Sequence, residues 1–91
     1  MNFGEIEIVE QKGLTSMPQD YASAWGGAMG KIVGADYVPL IYVGEQLVKG
    51  VNYIFIAQQT LILAKPERHI VLITINEFGG NYTIVGIERI I

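Results

Sequence analysis

Gly44-Glu45-Gln46-Leu47-Val48-Lys49-Gly50-Val51-Asn52-Tyr53 joins two stretches whose side chains read as β-strands. Upstream, Asp36 to Val43 is rich in Tyr, Val and Ile. Pro39 marks an edge position or a bulge there, because proline cannot donate to a strand ladder. Downstream, Val51 to Leu63 is long, and its first half sets Val51, Tyr53 and Phe55 against Asn52, Ile54 and Ile56. Consecutive strands joined by a short turn pair antiparallel. On the residues alone, Gln46-Leu47-Val48-Lys49-Gly50 is a strand end and a turn, with Gly50 serving a bulge and Val48 packing inward.

Working outward, two more strands follow, His69 to Asn76 and Tyr82 to Ile91. Phe78-Gly79-Gly80-Asn81 is a tight hairpin signal between them, and Lys65-Pro66-Glu67-Arg68 is the connection before His69. Near the start, Glu5-Ile6-Glu7-Ile8-Val9-Glu10 alternates charge with apolar side chains. That period predicts a short half-exposed strand with Ile6 and Ile8 on the buried face and the glutamates in water.

Ser16-Met17-Pro18-Gln19 predicts a helix start, with Ser16 as cap, Gln19 at the capping-box position and proline in the first turn. Tyr21, Ala24, Trp25, Ala28, Met29 and Ile32 then line one helical stripe, and Gly34 is placed to cap the end. The expected helix runs from about Pro18 to Val33, with Trp25 and Met29 buried against the sheet. Its other side, Gln19, Ser23, Gly26, Gly27 and Gly30, is nearly uncharged. Interior glycines weaken a helix by roughly 1 kcal/mol each, so this side is either a weak solvated surface or a place where another surface, such as a second subunit, comes close.

The order is strand, helix and four strands with short connections. One amphipathic helix needs one sheet face to cover its stripe, which gives a two-layer α+β architecture. The 91 residues make a single domain, 1–91, since a second core would have too little chain to bury itself. With 51% hydrophobic and only 16% charged residues the composition is that of a folded chain. No cysteine is present, which excludes disulfides, thiolate metal sites and a cysteine nucleophile. Six Lys and Arg are scattered against nine Asp and Glu, without the clustered basic footprint that nucleic acid requires. Apolar runs are too short for a membrane span, and Met1-Asn2-Phe3-Gly4-Glu5 has no secretion-signal pattern, so the chain is expected to be cytoplasmic if this is the full product.

Gln46, Val48 and Gly50 stand at the spacing Gln-x-Val-x-Gly, and Asn52-Tyr53 opens the next strand. This resembles the first hairpin of the cystatins, inhibitors of papain-like cysteine proteases. The order of elements is similar over nearly the whole chain, and Tyr37-Val38-Pro39-Leu40 with Gly44 also looks like small bacterial proteins of that fold. The resemblance implies a cystatin-like fold, one helix packed across a four- to five-stranded antiparallel sheet. It also implies a wedge in three parts that fills the protease cleft: an N-terminal glycine segment, the Gln-x-Val-x-Gly hairpin and a second hairpin, often Pro-Trp. Carried over, the protease-binding residues are Gln46, Leu47, Val48, Lys49 and Gly50, with Gly13 or Gly4 as the N-terminal glycine. The second hairpin is expected at Ala64-Lys65-Pro66-Glu67-Arg68-His69, where Pro66 is present and tryptophan is not.

Enzyme chemistry finds little support in the residues. His69 is the only histidine and stands at a strand start, and no Ser–His–Asp arrangement is suggested by spacing. Glu5 and Glu7 share one face of a strand, no metal-ligand spacing shows, and neither glycine pair follows a strand into a helix. The expectation is therefore no catalytic residue, no metal and no cofactor. Two functions remain. One is a reversible inhibitor whose partner is a papain-like cysteine protease. The other is a structural or assembly module without inhibitory activity, in which a monomer is expected but exchange of the long Val51–Leu63 strand into a dimer stays open.

Overall fold

β1 (Ile6–Ile8), α1 (Gln19–Met29), β2 (Ala35–Val48), β3 (Gly50–Leu61), β4 (Glu67–Phe78) and β5 (Asn81–Arg89) follow one another in the computed structural model, which describes residues 4–91. The Met1–Phe3 start read above for a secretion signal lies outside the described residues. The strands form a single antiparallel sheet in the order β1-β2-β3-β4-β5, each next to its neighbour in sequence, with α1 across one face. The protein is α+β, with one helix and a five-stranded antiparallel sheet. Among the described residues no helix is long and apolar enough to cross a membrane.

The core is where the helical stripe meets alternate residues of the strands. Tyr21, Ala24, Ala28 and Met29 of α1 are buried against Tyr42, Tyr53, Phe55, Ala57, Val71, Ile73 and Ile75. The aromatic rings meet edge to face, Tyr21 with Tyr53 at 4.9 Å and Trp25 with Phe55 at 5.2 Å between centroids. This is the arrangement favoured by the ring quadrupole. Met29 is buried as expected, whereas Trp25 is half-buried. Pro39 does sit beside a bulge: the β2–β3 register shifts between Pro39 and Ile41, and again between Tyr42 and Gly44.

The helix start differs from the sequence reading. Ser16 does not cap it; Leu14–Ser16 form a separate 3-10 turn, and Pro18 is the residue at the cap, without a side-chain hydrogen bond. A residue before proline is driven out of the helical region. Met17 accordingly has φ −56° and ψ 129°, which detaches Ser16 from the helix. Gln19 bonds forward instead, its Nε2 donating to Ser23 Oγ at 3.1 Å. The helix also ends earlier than Val33, at Met29, where Gly30 takes over. Gly34 does not cap it either: its carbonyl accepts from the Ile62 amide at 3.1 Å, closing the opposite end of the sheet.

β1 departs from the expectation in one half: Glu7 is exposed as read, but Ile6 and Ile8 are exposed as well. Ile6 pairs with Gln46 and Ile8 with Gly44, on the sheet face away from the helix, and Ile8 is 71% exposed. Glu7 pairs with Glu45, whose other neighbour Tyr53 belongs to the core, so this glutamate is on the helix side. Alternation fixes which residues share a face but not which face meets the helix. The glycine side of α1 is also settled in part: a Cβ on Gly27 would run into the ring of Tyr82 of β5, so the close approach is made within the chain. A Cβ on Gly26 would meet nothing.

Candidate functional site

Antiparallel order decides which turns share an end of the sheet. The β2–β3 turn at Lys49 and the β4–β5 turn at Gly79-Gly80 lie at the same end, and the β3–β4 connection lies at the other. The twelve residues of β4 separate the two ends by about 40 Å. Pro66 is therefore not brought to the Gln46–Gly50 turn. The hairpin that stands beside that turn is Phe78-Gly79-Gly80-Asn81, and the expectation of a second hairpin at Ala64–His69 is corrected on strand direction.

The turn itself is tighter than a loop. Val48 pairs with Gly50, and Lys49 alone separates the strands. Gly50 has φ +80°, a conformation costly for any residue with a side chain. A Cβ there would also run into the Glu77 carbonyl of β4, so two separate constraints require glycine. Val48 is half-buried.

Three side-chain amides tie this end together. Asn76 Nδ2 donates to Asn52 Oδ1 at 3.0 Å and to the Lys49 carbonyl at 3.1 Å, and Asn52 Nδ2 donates to Gln46 Oε1 at 3.1 Å. Gln46 Nε2 then donates to the Gly4 carbonyl at 2.8 Å. The row crosses β4, β3 and β2 and ends on the N-terminal segment. Asn52, at its centre, is 8% exposed, and a buried amide of this kind is stabilising only when partnered.

Gly4 and Gly13 lie in different parts of the fold. The Gly4 amide also donates to the Leu47 carbonyl at 2.7 Å, which holds Gly4 beside the hairpin. Gly13 instead precedes the 3-10 turn, next to Lys12, whose amide donates to the Tyr42 hydroxyl in mid-sheet at 2.7 Å. Of the predicted residues, the structure brings together Gln46, Leu47, Val48, Lys49, Gly50 and Gly4, and leaves Gly13 and Pro66 elsewhere.

What this end presents is a ridge of two hairpins. Lys49 Nζ stands 5.3 Å over the centroid of the Phe78 ring, a contact of about 0.5–1 kcal/mol at an exposed site. Phe78 is 51% exposed. Glu77 Oε1 accepts from the Gly80 amide at 2.9 Å and fixes the second turn. Asn76 and Glu77 were not singled out from the sequence, and Phe78 was read there only as the start of a hairpin. The signal that finds them is parity: in an up-and-down sheet every second turn returns to the same end.

Titratable groups gather on the helix side of the same region. Glu45 is pushed above the usual carboxylate range, first by burial and then by Asp20 and Glu7. Tyr53 is pushed up to about 12, mainly by burial. Tyr21 is raised further by burial and the Glu45 charge, and its buried hydroxyl has no hydrogen-bond partner among the described residues. The described residues include no group of three or more His, Asp or Glu side chains arranged to hold a metal. His69 stands at the opposite end, 3.7 Å from Glu67. No protein-family model, curated protein or solved structure matches the chain.

Proposed function

We propose that the chain is a cystatin-like protein-binding domain that reversibly inhibits papain-like cysteine proteases through the ridge formed by Gly4, Val48-Lys49-Gly50 and Phe78-Gly79-Gly80-Asn81. The observation that carries the reading is the amide row from Asn76 to Gly4, which binds all three segments into one unit. Such a ridge loses little conformational entropy when it docks, and this saves affinity that a mobile loop would forfeit. Phe78 supplies an exposed aromatic anchor next to a cation, the residue class that dominates interface energetics. The second hairpin in this reading is the β4–β5 turn, and the N-terminal glycine is Gly4.

Active-site titration of papain and of a lysosomal-type cathepsin tests it. Reversible, competitive inhibition by the whole chain is expected. Full protease activity at micromolar concentrations of the chain contradicts it for those targets.

A further inference from the structure

The sheet end opposite the ridge is an apolar tip. The Ile62 amide donates to the Gly34 carbonyl at 3.1 Å, and the Leu63 amide turns back onto the Leu61 carbonyl at 3.1 Å. The first bond places Val33, next to Gly34, beside the β3–β4 connection. Val33 is 92% exposed, Ile62 60% and Leu63 54%, and none of them belongs to the cluster around the helix. Ala64 continues the run, and residues 62–68 are exposed throughout. Turns at a sheet end are ordinarily built from Gly, Pro, Asn, Asp and Ser. Here two neighbouring segments both expose aliphatic side chains, and a contiguous patch of that kind marks a contact surface.

Charge narrows the partner. Lys31 stands two residues before Val33 and Lys65 two residues after Leu63, so each apolar segment has its own cation. Arg68 follows at the start of β4. All three are exposed, and neither lysine is in an ion pair among the described residues. The acids at this end are Asp36, across Thr60 from Arg68, and Glu67, 3.7 Å from His69. Strand pairing and helix direction put Glu5, Glu7, Glu10, Asp20, Glu45 and Glu77 in the half of the molecule that carries the ridge, where the cations are Lys12 and Lys49. The rest of the molecule holds four of the six cations against three of the nine acids. An anionic surface therefore attracts the tip and repels the ridge end, which orients the approach. Three aliphatic side chains fall short of the ~800 Å² that each partner contributes to a stable protein interface. A bilayer makes no such demand, because apolar side chains enter between the headgroups while lysine and arginine stems reach the phosphates.

We infer that the tip of Val33, Ile62 and Leu63 docks on an anionic phospholipid surface, with Lys31, Lys65 and Arg68 at the headgroups. The contact is peripheral and reversible, and salt weakens it by screening the cations. Docking at this end points the Lys49–Phe78 ridge away from the bilayer, about 40 Å from it. The inference thus stands apart from the inhibitory reading and holds or fails separately from it.

Co-sedimentation with vesicles of equal parts phosphatidylcholine and phosphatidylserine, beside vesicles of phosphatidylcholine alone, reads the outcome directly. The chain is expected to bind the anionic vesicles at least tenfold more tightly than the neutral ones and to be released by raised salt. Ile62→Asp with Leu63→Asp should abolish binding, and Ile62→Ser with Leu63→Ser, which adds no charge, should weaken it at least tenfold. Lys31→Gln with Lys65→Gln should remove the preference for phosphatidylserine. Val85→Asp, at a 60% exposed apolar position on β5, adds charge away from the tip and should leave binding within about twofold. An environment-sensitive dye attached at Leu63→Cys, in a chain with no other cysteine, should shift to the blue on the anionic vesicles. Circular dichroism of each variant confirms that the sheet is retained. No binding of the parent chain to anionic vesicles, binding that survives the Ser pair, a dye that stays in water, or a dimer that the Ser pair dissolves overturns the inference.

Discussion

Gln46 Nε2 donates a 2.8 Å hydrogen bond to the Gly4 carbonyl, and that single bond joins the N-terminal segment to a row of amides reaching across three strands to Asn76. Asn76→Ala removes two donated bonds at once and leaves the Asn52 Oδ1 and the Lys49 carbonyl without their donor. Leaving a buried polar group unpaired costs about 1–3 kcal/mol. We expect a fall in the urea midpoint of that order with an unchanged slope, since the compactness of the unfolded chain is untouched. Leu72→Ala, a loss of apolar surface away from the row, serves as a comparison without the polar penalty.

The two adjacent helix glycines separate propensity from packing. Gly26→Ala adds a methyl group to open space and should raise stability by up to about 1 kcal/mol through helix propensity. Gly27→Ala gains the same propensity but drives its methyl into the ring of Tyr82 on β5, which is partly buried against the core. Overpacking of this kind costs about 1–3 kcal/mol. Thermal unfolding should therefore show Tm rising for the first variant and falling for the second.

Tyr21 is 2% exposed, and its hydroxyl lacks a hydrogen-bond partner among the described residues. Tyr21→Phe keeps the ring contacts with Tyr53 and Phe55 and deletes an unpaired oxygen. Denaturant titration should find the variant at least as stable as the parent, with a gain of about 1 kcal/mol. A loss would show that the hydroxyl has a partner in solution.

Glu45 gives the stability a defined dependence on pH. Its folded pKa is raised, by burial first and by Asp20 and Glu7 next, so the folded state prefers the protonated carboxyl. The stability that this group contributes is fully present below its unfolded value and is lost as pH rises through the folded value. Glu45→Gln removes that loss. We expect the variant to be more stable than the parent at pH 7, with the difference shrinking toward pH 4, as read by thermal unfolding at the two pH values.

Much of the fold was legible because it is written in short-range patterns. The helical stripe from Tyr21 to Met29 and the β-forming runs that become β2 to β5 locate the two layers. The bulge beside Pro39 follows from a missing amide. What was not legible depends on contacts between distant residues. The face that β1 presents is set by its pairing with Gly44 and Gln46, not by its own alternation. Met17, held extended by the next proline, detaches Ser16 from a helix that its side chain would otherwise cap. Pro66 marks a connection but carries no sign of which end of the sheet it occupies; the direction of β4 decides that and gives the place to Phe78. Ile70-Val71-Leu72-Ile73 is an unbroken apolar run, and only strand pairing shows that Ile70 and Leu72 turn away from the helix.

The central claim is that Gly4, the Lys49 turn and the Phe78 turn act as one protease-binding ridge, and inhibition constants against papain for Phe78→Ala, Val48→Asp and Pro66→Ala beside the parent chain test it most directly. The account predicts inhibition by the parent, at least tenfold weaker inhibition by the first two variants, and none of that loss for Pro66→Ala at the far end of the sheet. Inhibition that depends on Pro66 but not on Phe78, or no inhibition by the parent chain, would contradict it.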